Sequence, residues 1–514
     1  MESSNLFCVV STYHVLFAIE YKQKYHQNDY SVLMVPNTIF TPLPQITKLK
    51  RIFDDVIIYP YFFPKEVLKE VKEESAKYFD ELFMTNSINI KDFNTIYACN
   101  PTEYFGLFLS SNNIPFVFIE DAAGVLSNQD TLKHIHEKQN SLRKELCNEY
   151  GLYDASCSCV TRKIGNKDAQ TNKDIEMEHF DVAKEYEGLP EDIKSLVREV
   201  FCVPDSIEAS GEVLFLTEHF ANLNLMSLDE QILIYQTVFD YFFQDKQITL
   251  KPHPNDLLFY EELFPNFDII HEKFPSELLP NVFKRKPEIV GTITSTGINN
   301  IKTAFQQCFY AGYEFRSNYM FIDRYYVILK ILLRITNMDR LKLVGVDSQM
   351  IDMFLKFSDV DETVANGPNV TIVDFLNNET DAFDSIIELV KNASDDEVIA
   401  FVNSREDFAF YDYDRKYDWN YIIPVGIEKK QTREQDFYSD TDESDVYFYT
   451  RSKSARKIIE EFAMEKDLKY TGMEISVEQK NEYETRIKTL EGILEATEKR
   501  LLYYIEKDKE KNKQ

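Results

Sequence analysis

Residues 249–256 read TLKPHPND, which places a lysine and a histidine at the end of a short apolar run. Proline on both sides of His253 removes ladder hydrogen bonds and fixes two φ angles, so a strand must end here with the imidazole at its carboxyl end. Ligands of open α/β sheets bind at that edge. An isolated histidine is usually structural, but Lys251 and a histidine between Pro252 and Pro254 together favour a functional site.

An acidic pair, Glu120 and Asp121, directly follows the apolar residues 116–119. Adjacent carboxylates repel each other, which raises the pKa of one of them and suits it to general-base catalysis. Acidic residues at this position equally suit the cap of a following helix. Successive side chains of a strand alternate, so only one of the two faces a site, and Glu120 is slightly favoured because the shorter Asp121 is better suited to cap a turn.

Residues 291–297 read GTITSTG and lead from a short apolar run into a helical pattern. Hydroxyl and backbone N–H groups at such a turn form a cradle for an anion. Serine and threonine also cap many helices that bind no ligand, so the segment alone is a weak signal. The interpretation as an anion-binding turn becomes stronger because the segment follows His253 within the same predicted α/β domain. The sequence contains neither GxGxxG nor a Walker A motif, which argues against a dinucleotide enzyme and a P-loop NTPase.

Apolar runs alternate with helical patterns along most of the chain, which predicts an α/β fold with parallel sheets and two Rossmann-like domains. We expect helices such as 64–77, 228–243 and 382–391. The expected strands are 5–10, 30–35, 55–59, 95–99, 115–119, 211–217, 247–250, 289–293, 341–346 and 370–373.

Composition changes divide the chain into three predicted regions, 1–205, 206–410 and 411–514. The first two are the Rossmann-like domains, and the polar stretch 156–191 has the character of a linker or peripheral helices. The third is an acidic accessory region that ends in a long helix. Its mostly apolar residues recur at spacings of four and three: Tyr483, Ile487, Leu490, Leu494, Thr497, Leu501 and Tyr504. This helix either packs on its own domain or forms a homodimeric coiled coil.

The composition is that of an acidic globular protein. Its 57 Lys and Arg residues against 87 Asp and Glu give a net charge of -30, which repels nucleic-acid phosphates and argues against a nucleic-acid partner. The seven cysteines are scattered, and Cys157 and Cys159 lack zinc-finger spacing, so we expect reduced thiols, no metal and no cofactor. Neither an apolar run of ~18 residues nor a signal-peptide pattern occurs. We therefore expect a cytoplasmic protein, or one bound peripherally to the inner face of a membrane.

The order of the motifs resembles that of bacterial sialyltransferases. The acidic pair at a strand end is followed by K-P-H-P-x-D after a strand of the second domain, by F-P-x-E-L-L at 274–279, and by a Ser/Thr pair. More narrowly, the chain resembles the lipooligosaccharide sialyltransferases and the capsular polysialyltransferases, over about residues 1–320. The resemblance implies a GT-B-type fold, in which the two Rossmann-like domains face each other across a cleft, and CMP-sialic acid as the donor.

The resemblance also implies a role for each motif. The general base that deprotonates the acceptor hydroxyl is Glu120 or Asp121, and His253 contacts the donor phosphate and assists the departure of CMP. The nucleotide-binding residues are Lys251, Pro254, Thr217, Glu277, Ser295 and Thr296. Within that set the glutamate holds the ribose hydroxyls, and the Ser/Thr pair binds the phosphate. These roles suit the chemistry, because a departing phosphate needs positive charge or donors and a hydroxyl nucleophile needs a base.

Together with the residues, the resemblance implies an inverting, metal-independent glycosyltransferase that moves sialic acid or a related acidic sugar from a CMP-activated donor to a surface-glycan or capsule acceptor. One alternative is a transferase for another CMP-activated sugar such as Kdo. Another is a non-catalytic scaffold that keeps the fold. The scaffold is slightly favoured by Ala122 and Ala123, which precede Gly124 where the family has glycine directly after the acidic pair. The joint presence of His253, Glu277 and the pair Ser295 and Thr296 argues against it.

Overall fold

The computed structural model describes residues 3–61, 68–99, 104–120, 158–165, 176–207, 211–223, 225–256, 258–319, 322–346, 348–374, 392–402, 422–425 and 446–464. The chain divides into two compact units. The first comprises Met1–Leu228, Asp245–Leu258 and Asn266–Arg316, and the second comprises Asp229–Gln244, Phe259–Pro265 and Ser317–Gln514. Two parallel sheets belong to the first unit and one mixed sheet to the second.

The first sheet has seven parallel strands in the order β3-β2-β1-β4-β5-β6-β7. They are β1 (Ser4–Cys8), β2 (Tyr30–Pro36), β3 (Asp55–Tyr59), β4 (Thr95–Cys99), β5 (Phe116–Ile119), β6 (Val160–Gly165) and β7 (Met177–His179). The order of the first six strands, 3-2-1-4-5-6, is that of doubly wound nucleotide-binding folds. The strands near the centre are buried on both faces, which explains why they are continuous apolar runs rather than alternating ones.

Helices connect or flank these strands. They are α1 (Thr12–Tyr25), α2 (Asn37–Phe40), α3 (Leu68–Thr85), α4 (Tyr104–Ser111), α5 (Val182–Glu187) and α6 (Glu191–Phe201), with 3-10 helices at Pro44–Arg51 and Ile90–Asp92. Helix α1 begins where the Ser11 side chain accepts the N–H of His14, an N-cap that satisfies one of the helix's first donors. Residues 13–22 of α1 are all buried, so this helix is a central part of the core.

The second sheet has five parallel strands in the order β10-β9-β8-β11-β12. The strands are β8 (Val213–Leu216), β9 (Ile248–Lys251), β10 (Asp268–Ile269), β11 (Ile289–Thr292) and β12 (Gln307–Tyr310). Each strand is followed in the chain by a helix. In the order of the strands, these are α7 (Leu228–Phe242), α8 (Tyr260–Leu263), the 3-10 helix Ser276–Asn281, α9 (Ile298–Ile301) and α10 (Gly312–Asn318). Counted from β8 the strand order is again 3-2-1-4-5, which confirms the predicted α/β class with two Rossmann-like parallel sheets.

The two parallel sheets share one hydrophobic core within the first unit. This core contains Phe7 of β1 and Phe17 of α1 together with Leu216 of β8 and Leu278 of the 3-10 helix Ser276–Asn281. Side chains of both sheets and of α1 therefore contribute to a common interior.

The second unit contains strands β13 (Leu341–Val344), β14 (Val370–Asp374), β15 (Val398–Val402), β16 (Ile422–Val425) and β17 (Val446–Thr450) in the order β13-β14-β15-β17-β16. The first three are parallel, and β17 pairs antiparallel with both of its neighbours. Besides α8 and most of α7, the second unit contains the helices α11 (Ile322–Leu332), α12 (Ser348–Phe357) and α13 (Lys453–Met464). Helix α11 packs on β15, β17 and α13. None of the helices that the structure describes is long and apolar enough to cross a membrane.

The structure differs from the sequence prediction in the polar stretch 156–191. The prediction of a linker or peripheral helices there was wrong for the described part, because β6 and β7 extend the first sheet and only α5 is helical. Both are short strands near the sheet edge, where pairing with β5 rather than an apolar run determines the conformation. The helix predicted at 64–77 is described from Leu68 and continues to Thr85. The helix predicted at 382–391, Cys157 and the C-terminal apolar seam lie outside the described residues.

Candidate functional site

Segments that carry the predicted site residues meet at the carboxyl edge of the second sheet. Strands β8 and β11 are neighbours although β9 and β10 lie between them in the chain, so this is the point where the strand order reverses. Open α/β sheets bind ligands at that point. Thr217 follows β8, His253 follows β9, and Ser295 and Thr296 follow β11, so the second sheet brings these four together at one edge.

Three contacts hold His253, two of them through its ring. Its ring stacks on that of His219, with centroids 3.8 Å apart and an interplanar angle of 18°. Its backbone N–H donates to Thr217 Oγ1 at 3.4 Å, and its Nδ1 accepts the N–H of Asn255 at 3.2 Å. Because Nδ1 accepts a hydrogen bond, the proton of the neutral ring is on Nε2.

The electrostatic environment keeps His253 uncharged. Burial is the main cause that lowers the pKa of the imidazole to about 3, and electrostatic interactions with His219, Lys251 and Lys273 lower it further. Burial also lowers the pKa of His219. At neutral pH the His253 ring is therefore a hydrogen-bond donor through Nε2–H, with no spare proton to give to a leaving group.

Lys251, the other basic residue of the motif, is directed into the protein. Its Nζ donates to the carbonyl of Glu272 at 2.6 Å and lies 4.9 Å from the centroid of the Phe274 ring. Its side chain is buried, and that burial lowers the pKa of the ammonium to about 8. Lys251 thus holds the segment that follows β10. A later residue of the motif, Pro254, is exposed, and its carbonyl accepts from Lys273 Nζ at 2.9 Å.

Glu218, the second residue after β8, holds the turn that follows β11. Its carboxylate accepts the backbone N–H and the hydroxyl of Thr294, and Oε1 lies 3.0 Å from Thr292 Oγ1. The N–H of Ser295 donates to Thr292 Oγ1 at 3.2 Å. These bonds fix the backbone that presents the partly exposed Ser295 and Thr296 side chains.

Glu277 lies in the first turn of the 3-10 helix Ser276–Asn281 and is buried. Its Oε1 accepts from Asn300 Nδ2 at 3.1 Å, and its Oε2 accepts from the Ser276 hydroxyl at 3.3 Å. Burial raises the pKa of this carboxyl group. A Cβ on Gly297 would lie 3.0 Å from Ser276 Oγ and 3.5 Å from Ser295 Oγ, so both hydroxyls border the space beside this glycine. The predicted ribose-binding and phosphate-binding segments are therefore adjacent.

Glu120 lies at the end of β5 in the first sheet and is fully buried. Its N–H donates to the carbonyl of Ile164 at 3.0 Å, and its own carbonyl is 3.0 Å from His14 Nε2. A carbonyl only accepts, so Nε2 carries the proton and Ser11 donates its hydroxyl to Nδ1 at 3.0 Å. The Glu120 carboxyl group packs on Gly165, where a Cβ would lie 2.9 Å from both Cδ and Oε2.

Tyr13, in the first turn of α1, connects this group with the second sheet. Burial raises the pKa of its hydroxyl, and the carboxylates of Glu120 and Glu277 raise it further, while a hydrogen bond with Asn300 acts in the opposite direction. The candidate base and the candidate ribose-binding carboxylate are thus both within electrostatic reach of one side chain.

The other acid of the pair, Asp121, lies outside the described residues, as do Ala122, Ala123 and Gly124. The structure therefore locates only Glu120 of the two predicted bases. The catalytic and nucleotide-binding roles that the resemblance implies remain predictions.

Sequence reasoning missed the residues that hold the site in place. His14 and Tyr13 follow the first strand, and Glu218 and His219 follow Thr217 directly after β8. Glu218 and His219 carry a signal, because they come just after a buried apolar strand, as Glu120 does, whereas Tyr13 and His14 lie inside the helix that follows β1. Asn300 and Ser276 carry no such signal, because their role depends on which segments become neighbours.

The polar groups at this edge suit a ligand that has both a phosphate and a sugar diol. Hydroxyls, backbone N–H groups and the His253 Nε2–H can donate to phosphate oxygens, and the Glu277 carboxylate can accept from a diol. Among the residues that the structure describes, no group of three or more His, Cys, Asp or Glu side chains is arranged to hold a metal ion.

Comparison with solved structures finds weak similarity over part of the chain. One of these structures is the Staphylococcus aureus MnaA–UDP co-structure, with a TM-score of 0.38 and 11% identity over 76% of this chain and 96% of that chain. Another is Medicago truncatula UGT71G1 complexed with UDP-glucose, with a TM-score of 0.36 and 12% identity over 59% of this chain and 78% of that chain. A third is the spinosyn rhamnosyltransferase SpnG, with a TM-score of 0.35 and 10% identity over 64% of this chain and 85% of that chain. TM-scores below 0.5 do not establish a shared fold.

A family model matches part of the sequence. Residues 126–306 match the family model of alpha-2,8-polysialyltransferase. The matched segment contains His253 and the whole predicted nucleotide-binding set, and it begins just after the acidic pair. No curated protein matches the sequence. The family match confirms the expectation of a sialyltransferase-like glycosyltransferase.

Proposed function

We propose that this protein transfers sialic acid, or a closely related acidic sugar, from a CMP-activated donor to a hydroxyl of a surface-glycan or capsule acceptor. The observation that carries the proposal is the grouping of three polar elements at one sheet edge: the His253 imidazole, the Ser295 turn and the buried Glu277 carboxylate. All three also lie in the segment that matches the polysialyltransferase family. A nucleoside monophosphate, with its phosphate and ribose diol, is complementary to this set.

In this proposal the two parallel sheets of the first unit are the two Rossmann-like halves of a GT-B-type enzyme. The second sheet binds the CMP moiety, and the first sheet, within residues 1–205, supplies the base on the acceptor side. The position of Tyr13 supports this division, because Glu120 of the first sheet and Glu277 beside the second both raise the pKa of its hydroxyl.

The proposed reaction is a single displacement. The acceptor oxygen attacks the anomeric carbon of the donor sugar while the bond between that carbon and the phosphate oxygen of CMP breaks. The electron pair of that bond stays on the phosphate, which accepts hydrogen bonds from His253 Nε2–H and from the Ser295–Thr296 turn. The acceptor proton passes to the carboxylate of Glu120 or Asp121, with Glu120 favoured. Attack from the face opposite the leaving group inverts the anomeric configuration, and no step requires a metal ion.

Donor hydrolysis tests the proposal. The protein is incubated with a panel of CMP-sugars and UDP-sugars, and free nucleotide is measured over time. We expect CMP release from CMP-sialic acid and negligible UDP release, with a Glu277→Gln variant showing a raised KM for the CMP donor. Preference for CMP-Kdo would reassign the sugar, whereas release of UDP alone would contradict a CMP-specific site.

A further inference from the structure

The proposed reaction leaves negative charge on the CMP phosphate, and neither basic residue of the KPHP segment is placed to neutralise it. His253 is uncharged at neutral pH, because burial and nearby cations lower the pKa of its imidazole. The Lys251 ammonium is buried and is directed to the Glu272 carbonyl and the Phe274 ring. A departing phosphate is stabilised mainly by positive charge and donors aimed at it, so the cation must come from another residue.

Lys273 meets this requirement. It lies in the segment after β10, which pairs parallel with β9, so this segment runs beside the residues that leave β9. Its side chain is exposed, and its Nζ donates to the carbonyl of Pro254 at 2.9 Å. Pro254 directly follows His253, and the Lys273 charge is close enough to contribute to the lowered pKa of that imidazole. An ammonium has three N–H donors, so the bond to Pro254 leaves donors for a ligand.

The buried Lys251 explains how Lys273 is positioned. The two residues on either side of Lys273 are Glu272 and Phe274, and both contact the Lys251 ammonium, one through its carbonyl and the other through its ring. Lys251 therefore fixes the backbone from which the Lys273 side chain extends.

Another cation of this edge is Arg316, in α10 after β12. Its guanidinium lies over the rings of Phe220 and Tyr313, at 5.7 and 6.0 Å from their centroids. It is also under the electrostatic influence of Glu218, which already holds the β11 turn. These contacts place Arg316 beside the segment after β8 and on its own helix, whereas Lys273 bonds to Pro254, the residue directly after His253.

We propose that Lys273 is the cation that binds the donor phosphate and stabilises the departing CMP. This assignment rests on the proposed function. It gives the two lysines different tasks: Lys273 contacts the phosphate, and Lys251 positions the segment that carries it.

The test compares Lys273→Met, Lys273→Arg and Lys246→Met in the full-length protein. Lys246 precedes β9, so its replacement removes the same charge at the opposite, amino edge of the same sheet. Isothermal titration calorimetry measures the affinities for CMP and for cytidine, which lacks the phosphate. We expect Lys273→Met to weaken CMP binding about tenfold to a hundredfold and to leave cytidine binding unchanged. Lys273→Arg should retain most of the CMP affinity, and Lys246→Met should change the affinity for neither ligand.

Kinetics of CMP release provide a second measurement. Negative charge on the phosphate increases as the glycosidic bond breaks, so Lys273→Met should lower kcat in addition to raising KM. Unchanged CMP affinity in Lys273→Met would overturn the assignment, and so would equal losses of CMP and cytidine affinity, because the effect would then not be specific to the phosphate. Wild-type protein that binds neither CMP nor cytidine would instead refute the proposed function.

Discussion

Replacing His253 by glutamine distinguishes an imidazole that donates a hydrogen bond from one that transfers a proton. Its Nδ1 accepts the N–H of Asn255, so Nε2–H is the group that can donate to a ligand. The pKa of the imidazole is lowered to about 3 by burial and then by nearby positive charges. At pH 7 only about one free protein molecule in ten thousand then has the doubly protonated ring that a general acid needs.

The expected size of the effect follows from this protonation state. A hydrogen bond to a charged phosphate contributes about 1.5–3 kcal/mol, which corresponds to roughly 13- to 160-fold in kcat/KM. His253→Ala should lose that factor and remain folded, because the residue lies at a strand end. His253→Gln should recover much of it, because its amide can donate from nearly the position of Nε2. For a general acid, glutamine would be as poor a replacement as alanine.

The assay is the rate of CMP release from CMP-sialic acid between pH 5.5 and 8.5, with circular dichroism to check the fold of each variant. We expect the wild type and His253→Gln to share the shape of their kcat/KM profiles. Two results together would refute the reasoning. The His253→Gln variant would be as inactive as His253→Ala, and only the wild type would show a fall in kcat/KM as the pH rises above about 6.5. Such a fall is the signature of a required protonated group.

The same lowered pKa affects stability. In the unfolded chain the histidine has its ordinary pKa of 6.5, so it takes up a proton that the folded ring does not take up until the pH approaches 3. This difference in proton uptake lowers the free energy of unfolding at acid pH. The loss is negligible well above pH 6.5 and grows as the pH falls, reaching ~2 kcal/mol at pH 5. Urea unfolding of the wild type and His253→Gln at pH 5 and pH 8 measures it, and equal pH dependence in the two proteins would contradict the lowered pKa.

Three further predictions concern the base and the metal. For the true base, Glu120→Gln or Asp121→Asn should lower turnover by ~10²–10⁴-fold with CMP binding retained, and losses of only a few-fold in both would mean that the base lies elsewhere. Gly165→Ala places a Cβ 2.9 Å from the Glu120 carboxyl group and should lower kcat at unchanged CMP affinity. Its control, Gly188→Ala, meets only a carbonyl oxygen at 3.5 Å, and an equal loss there would contradict a local effect on Glu120. Transfer activity should survive EDTA, whereas a loss that Mg²⁺ or Mn²⁺ reverses would contradict a metal-independent reaction.

Much of the fold could be predicted because its central strands are buried on both faces. Strands β8 and β11, for example, are short apolar runs between polar turns, and the sequence located both. Strands β6 and β7 could not be found in this way, since Arg162 and Lys163 interrupt the first and the second has only three residues. Their conformation depends on pairing with a neighbouring strand, which a local pattern does not specify.

The candidate site could be predicted only to the level of the segments that carry it. His253 was identifiable because prolines end its strand, and the Ser295 turn was identifiable from its hydroxyls. The contacts of these side chains depend on strand order, which the sequence pattern does not reveal. Lys251 illustrates this limit, because the motif favoured a ligand-binding lysine, whereas its ammonium bonds to the Glu272 carbonyl on the segment after the adjacent strand.

The first turn of α1 determines how the two halves of the proposed active site are held together. His14 bonds to the backbone of Glu120, and the preceding residue, Tyr13, interacts with Asn300 and is influenced by Glu277. Adjacent residues of a helix point about 100° apart, so two consecutive side chains can reach two different sheets. One helical turn, capped by Ser11, therefore bonds to the backbone of the proposed base and lies within electrostatic reach of the proposed ribose-binding carboxylate. A displacement of this turn would move the base relative to the bound donor, and such a displacement should affect turnover more than it affects nucleotide binding.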